Sequence, residues 1–366
     1  MSAQGFGFGE MTKRLNAIRQ WMSDHGWDGL LVSNPANVRY LAGFRGEPAT
    51  LWIDHEQALL ITHIRSQRWA EEQTETFTVL CNPDPLAEVK AFLTGRTLRI
   101  GVDAQVTHTK LNFLRQSLSG HELDPVSGIE SLRRIKSEPE ITVLRESQQI
   151  NERIFDGILG QIRSGMSERA VQGLILTAMA EDESVEGPSF TPIVAAAGNA
   201  WEIHHQPDST PLRSGDMVII DLGVRHRGYC SDMTRTICLG KASGRMRGIH
   251  ATVREAQLAA FASLTEGASA HAVDGAARNV ITAAGHGDTF SHGLGHGIGL
   301  ETHDAGVRLT PGGEDFALRS GMALTIEPGI YLENQFGVRT EDVIIVREDG
   351  FENLTTTTHE LIELPT

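Results

Sequence analysis

Apolar and polar positions recur along this chain with two different periods. Over residues 10–25, Met11, Leu15, Ile18 and Met22 fall at helical spacing, which predicts an amphipathic helix. Short apolar runs follow: GLLVS (29–33), TLWID (50–54), QALLIT (57–62), FTVLC (77–81) and LRIGVD (98–103). Their length and composition predict strands. Helical stretches near 64–72, 85–94 and 109–118 separate the later ones. This alternation predicts an α/β first domain ending near residue 130.

RRIKSEPEITVLRESQQINERIFDGILGQIRSG (133–165) then opens a long helix. Ser137 before Glu138 and Pro139 is a start signal, and Gly165 a stop signal. Further helices fit 167–181, 245–265 and 269–284, and strands fit 216–222, 229–238, 321–327 and 339–347. The second domain is α+β, with acidic residues on its strands. The predicted division is 1–131 and 132–366.

The second domain repeats itself. SGDMVIIDLG (214–223) aligns without a gap on SGMALTIEPG (320–329), so Asp221 falls on Glu327. Each copy leads to a second acid four residues after a glycine, in GYCSD (228–232) and GVRTE (337–341). A symmetric hairpin with its tip between His226 and Arg227 sets Asp221 opposite Asp232. A tip at Asn334 sets Glu327 opposite Glu341. Cross-strand partners share a face with Cβ atoms roughly 4.5–5.5 Å apart. Carboxylates that close raise one another's pKa unless a cation intervenes. Four of them together call for divalent metal.

FSHGLGHGIGLETHD (290–304) supplies imidazole. His292 and His296 are four apart, but the interleaved glycines argue against a helix. On a strand the even spacing again puts both on one face. His303, at odd spacing, reaches the site from another direction. Oxygen-rich ligation with one imidazole suits Mn²⁺ or Co²⁺, with Zn²⁺ also compatible. Two such ions polarise a carbonyl and activate water, which is hydrolytic chemistry.

Composition narrows the setting. The 366 residues carry a net charge of −15 without a Lys/Arg-rich run, which argues against nucleic acid as a partner. No apolar run is of membrane-spanning length, and the leading MSAQGFGFGEMTKR has no signal-peptide core. Cys81, Cys230 and Cys238 are few and irregularly spaced, which suits a reducing cytoplasm.

IIDLG…GYCSDMTRT, HGLGHGIGLETHD, TIEPGIY and GVRTED together resemble the metallopeptidase family of prolidase (Xaa-Pro dipeptidase), aminopeptidase P and methionine aminopeptidase, whose fold creatinase shares. NVRYLAGFRGE (37–47) and LITHIRS (60–66) resemble the creatinase/prolidase N-terminal domain, which points to the prolidase and aminopeptidase P branch. The resemblance implies a "pita-bread" α+β catalytic fold with a curved antiparallel sheet, and a homodimer. It implies five metal ligands: Asp221, Asp232, His296, Glu327 and Glu341. Asp232 and Glu341 would bridge two metals, Asp221 completing one and His296 with Glu327 the other. Glu327 would double as general acid/base. His292, His303 and His204 match substrate-side histidines, and Arg339 an arginine steadying the bridging carboxylates. Arg235 reads as structural and His205 as a solvated loop residue.

The implied activity is hydrolysis of the bond before proline, in dipeptides or at peptide N-termini. AAAGNAWEIHH, before and through His204, departs from the usual prolidase stretch, and THIRS departs from Asp-x-Arg-Tyr. An alternative keeps the metals but changes the substrate to a small non-peptide, as in ectoine hydrolase or a dimethylsulfoniopropionate lyase. A binding module on a dead scaffold would have lost ligands, and all five residues are present.

Overall fold

The structure is a computed structural model describing residues 8–93, 95 and 97–366. The first seven residues of the leading stretch lie outside the described residues. The chain divides into two compact units after Arg133.

In the first unit, α1 (Phe8–His25) buries Met11, Leu15, Ile18 and Met22, the predicted stripe. The strands are β1 (Gly29–Val32), β2 (Ala49–Asp54), β3 (Ala58–Thr62), β4 (Thr78–Cys81), β5 (Arg99–Asp103) and β6 (Glu122–Val126). They form one mixed sheet in the order β4-β3-β2-β1-β5-β6. The helices α2 (Pro35–Ala42), α3 (Gln67–Gln73), α4 (Pro85–Phe92), α5 (His108–Ser117) and α6 (Gly128–Arg133) complete it. Sequence patterning missed α2, β6 and α6. β6 reads ELDPV, with no apolar run, and its edge position tolerates both the acids and Pro125.

The second unit opens with α7 (Glu138–Leu159) and α8 (Glu168–Glu181). Ser137 does start α7: the Glu140 carboxylate accepts its N–H at 2.9 Å. The helix stops at Gly160, not Gly165. Gly165 instead sits in the following turn at φ +88°, donating its N–H to Leu212 O.

The strands are β7 (Gly187–Pro188), β8 (Ile193–Ala196), β9 (Met217–Leu222), β10 (Val224–His226), β11 (Tyr229–Cys230) and β12 (Met233–Leu239). Next come α9 (Gly244–Phe261), α10 (Ala270–Ala283), β13 (Gly295–His296), β14 (Arg308–Leu309) and β15 (Ala323–Ile326). β16 (Gly329–Leu332), β17 (Phe336–Arg339), β18 (Asp342–Arg347), β19 (Gly350–Asn353) and β20 (Ile362–Leu364) finish the chain. α7 and α8 share one apolar core with β8, β9 and β12. α9 and α10 share another with β15 to β18. Each copy of the repeat is thus a hairpin backed by two helices.

The two hairpins differ in register. In the second, Ile326 pairs with Asp342 and Gly329 with Arg339, so Glu327 falls across from Glu341 as predicted. Asn334, at φ +56°, forms its tip. In the first, Asp221 pairs with Thr234 and Arg225 with Cys230. Its tip is Arg227-Gly228, both left-handed at φ +47° and +87°, as a tight type I′ turn requires. The expected tip was one residue too early, so Asp221 faces Thr234 and not Asp232. The resulting slip is two residues, which keeps both acids on one face.

A polar stripe of α7 holds this first hairpin. Ser147 Oγ donates towards Val224 O (3.2 Å) and Tyr229 O (3.1 Å), and Asn151 Nδ2 donates to Leu222 O (2.8 Å). Gln148 Oε1 accepts the Asp232 N–H at 3.3 Å. All three side chains are fully buried. Among the described residues, no helix is long and apolar enough to cross a membrane.

Candidate metal centre

Every predicted ligand sits at or beside a strand end. Asp221 is the last residue but one of β9, Asp232 lies between β11 and β12, and His296 ends β13. Glu327 lies between β15 and β16, and Glu341 between β17 and β18. Asp232, His296 and Glu341 each offer a ligand atom within 4.8 Å of the others. His296 Nε2 lies 3.7 Å from Asp232 Oδ2 and 3.5 Å from Glu327 Oε1. Asp221 does not join that trio. Its Oδ2 accepts Arg339 Nη2 at 2.6 Å, while its buried Oδ1 has no hydrogen-bond partner among the described residues.

The tautomer of His296 follows from its neighbour. A carbonyl only accepts, so Nδ1, 3.1 Å from Gly297 O, carries the proton. That leaves the Nε2 lone pair facing the acids. Burial, and then the nearby His303, push the pKa of His296 down to about 3, so the ring is neutral. Its backbone N–H donates to Thr325 Oγ1 at 3.0 Å. A Cβ on Gly295 would collide with the Thr325 carbonyl oxygen, which is why this strap needs glycine there.

The carboxylates press on one another. Burial raises Asp232 well above its usual range, and Glu341, Asp221 and Glu327 add to that. Glu341 is raised by burial, then by Glu327 and Asp221. Burial pushes Glu327 up to about 8. Arg339 opposes all of these shifts, but one guanidinium cannot neutralise four acids. An oxygen-rich donor set, one imidazole lone pair and an orphaned Asp221 oxygen fit divalent metal.

Arg339 is the hub around the acids. Besides Asp221, its Nε donates to Thr234 Oγ1 (3.0 Å), which donates to Glu341 Oε2 (2.7 Å). Its Nη1 donates to Tyr331 Oη at 3.0 Å, and Tyr331 lies 2.9 Å from His292 Nε2. His292 Nδ1 already donates to Gly293 O at 2.7 Å, so Tyr331 is the donor to Nε2. Burial and then Arg339 hold His292 neutral, its pKa down to about 4. Thr234 and Tyr331 were not singled out from the sequence. Tyr331 stands in TIEPGIY, where an aromatic on a strand reads as core.

His292 is not on a strand with His296, contrary to the spacing argument; only Gly295–His296 form β13. Arg278 of α10 instead donates to Phe290 O and His292 O, each at 2.8 Å. Asp274 accepts the Leu294 N–H at 3.1 Å. His303 meets His296 edge-on, ring centres 4.2 Å apart, and Lys136 holds the neighbouring Asp304 at 3.0 Å. His204 is exposed on a turn. Arg235 bonds the carbonyls of Thr234 (3.0 Å), Glu341 (2.7 Å) and Thr357 (2.8 Å), and Asp342 Oδ1 (2.8 Å). That matches its structural reading.

His205 is a correction. It is buried, not solvated, because Glu168 lies 2.7 Å from its Nε2 and Glu202 3.2 Å from its Nδ1. Glu168, His205 and Asp208 also meet the spacing for a metal ion. Carboxylates on both ring nitrogens leave no lone pair to give one.

Residues 142–348 match the model of metallopeptidase family M24, and residues 14–135 that of the creatinase/prolidase N-terminal domain. The chain belongs to metallopeptidase family M24. An Xaa-Pro dipeptidase of Lactobacillus delbrueckii subsp. lactis is 32% identical to this M24 chain, over 96% of it and 99% of the relative. The solved Xaa-Pro dipeptidase of Bacillus anthracis superposes with a TM-score of 0.91 at 33% identity, covering 97% of this chain and 100% of that one. The X-Pro aminopeptidase of Thermotoga maritima gives 0.88 at 30%, covering 96% and 99%. The M24 chain has the creatinase-type N-terminal domain and the pita-bread catalytic fold expected of it.

A pH test follows from the carboxyl shifts. A carboxyl whose folded pKa is raised binds more protons folded than unfolded, so stability falls as pH climbs between the two values. Chelator-treated M24 protein is expected to lose melting temperature from the ordinary carboxyl value of 4.5 towards the value of about 8 of Glu327. Added divalent metal should restore most at the upper end. Parallel melting curves with and without metal across that window would refute it.

Proposed function

We propose that this protein hydrolyses the bond before proline in small peptides, as a dinuclear metallopeptidase. The observation that carries this is the gathering of Asp232, Glu327 and Glu341 around a neutral imidazole with a free lone pair, with Asp221 held beside them by Arg339, within an M24 chain. The full-length likeness to Xaa-Pro peptidases supports the substrate class.

Asp221, Asp232, His296, Glu327 and Glu341 would hold two divalent ions, which supply a hydroxide nucleophile at neutral pH and polarise the scissile carbonyl. Mn²⁺ or Co²⁺ suits the oxygen-rich set, and Zn²⁺ is compatible. Glu327 takes the proton of the nucleophile at Oε1 and returns it to the leaving nitrogen. Thr325 Oγ1, 3.3 Å away, orients that oxygen. Arg339 and Tyr331 fix the His292 ring at the edge of the site. His303 and His204, both exposed, are open to the substrate carbonyl.

The test is a panel of Xaa-Pro dipeptides and Xaa-Pro-Xaa tripeptides. Metal-stripped protein receives Mn²⁺, Co²⁺ or Zn²⁺ in turn. Turnover that needs both proline and added metal is expected, and dipeptide against tripeptide rates separate dipeptidase from aminopeptidase. No proline-dependent turnover with any metal would sink the reading.

A further inference from the structure

The segment after β8 carries His204 and borders the site. Trp201 and Ile203 pack on Ala195, Ala200, Ile219 and Tyr331, the residue that bonds Arg339 and His292. The turn over Ala197–Trp201 lies so close on β17 that a Cβ at Gly337 would collide with Ala200 O. One side chain ties this segment down along its whole length. Glu168, at the start of α8, is fully buried. Its Oε1 accepts the Ala196 N–H (2.8 Å) and Asn199 Nδ2 (3.0 Å). Its Oε2 accepts His205 Nε2 (2.7 Å) and the Asp208 N–H (3.2 Å).

His205 is the adjustable member. Carboxylate oxygens only accept, so Nε2 towards Glu168 and Nδ1 towards Glu202 both donate, which requires the imidazolium. Burial opposes that charge. Hydrogen bonds and charge from Glu168 and Glu202 outweigh it and hold the ring above its ordinary value of 6.5. Asp208, whose carboxyl also feels His205, is a further charged neighbour.

We infer that Glu168 and His205 are positioning residues: a hydrogen-bonded latch that sets the 196–208 segment, and with it His204 and the Trp201–Ile203 face, against the catalytic site. His205 bonds to Glu168 and Glu202 rather than to the metal-centre acids or Tyr331, so it acts through the segment. Loss of its proton removes one donor from Glu168 or Glu202, and the segment loosens on the alkaline side of 6.5. The part concerning turnover rests on the Xaa-Pro reading; the part concerning the segment does not.

Two measurements on the metal-loaded full chain test this. Subtracting the emission of W201F from that of the wild type isolates Trp201 among five tryptophans. That difference is expected to titrate above 6.5 in the wild-type background and to be flat with pH in the H205Q background. With an Xaa-Pro substrate, H205Q should raise KM about 10-fold, the scale of one hydrogen bond to a charged group, with unchanged metal content and little loss of kcat. Its kcat/KM should lack the alkaline fall of the wild type. E168Q should resemble H205Q, and H205Q, which keeps one donor to Glu168, serves where E168Q does not fold. A Trp201 signal that titrates alike with and without His205 overturns the latch. So does an H205Q protein with wild-type KM and pH profile. If no Xaa-Pro substrate turns over at all, the function falls and the fluorescence still decides the latch.

Discussion

Replacing Asp232 by Asn is expected to lower turnover on the order of 10³-fold or more and to release bound metal. Asn keeps the volume and one oxygen but removes the charge and one ligand atom. Asp232 is the acid on which the others bear most: Glu341, Asp221 and Glu327 all raise it. The same substitution has the opposite sign without metal. If these carboxyls were only a structural network that binds no metal, removing one of them would relieve repulsion under all conditions, and Asn would be neutral or stabilising with or without added metal. If they are a metal centre, Asp232→Asn should stabilise the chelated protein and destabilise the metal-loaded one. Metal analysis and paired melting curves read both signs. A variant with normal metal content and normal rate would end the ligand assignment.

That the four acids form two pairs was legible because a hairpin is a symmetric object. Equal spacing from a tip sets which residues face each other, and the second copy obeyed: Asn334 is the tip, and Glu327 lies across from Glu341. The first copy shows where the argument stops. The midpoint placed the tip between His226 and Arg227, but the turn needs two left-handed residues, and Gly228 supplies one of them cheaply. Turn chemistry overrode the arithmetic. What survived was parity, since a slip of two keeps Asp221 and Asp232 on one face. What was lost was Thr234, which fills the place opposite Asp221 and passes a hydrogen bond from Arg339 to Glu341.

The histidines divide the same way. Spacing joined His292 to His296 as one unit, but Arg278 and Asp274 bind the backbone around His292 to α10. Such a contact lies outside any local period. His205 was misread for a related reason. A polar residue in a loop is solvated by default, and its partner Glu168 stands 37 positions earlier on another element. Helix and strand runs in the first unit were easier, because burial alone dictates their pattern. β6 escaped because an edge strand need not be apolar.

Arg339→Met is expected to produce the largest loss of stability, about 3–5 kcal/mol in metal-free protein, the usual cost of stripping a buried charge of its partner. Three groups rely on this guanidinium from three directions: Asp221, Thr234 and Tyr331. It is also the cation that restrains the pKa values of Asp221, Asp232, Glu327 and Glu341. Metal should recover part of the loss, because divalent ions give the acids a second counter-charge. Metal should not recover activity, because Tyr331 loses the donor that fixes its hydroxyl and with it the firm hold on His292. Arg339→Lys separates charge from geometry. Lysine keeps the positive charge, so metal-free stability should fall less than in Arg339→Met. An ammonium cannot serve three directions as the planar fork does, so kcat/KM should still fall roughly 10–100-fold. Urea unfolding with and without chelator, beside steady-state kinetics, tests both variants. Equal unfolding midpoints for wild type and Arg339→Met under chelator would show that the acids do not depend on this arginine.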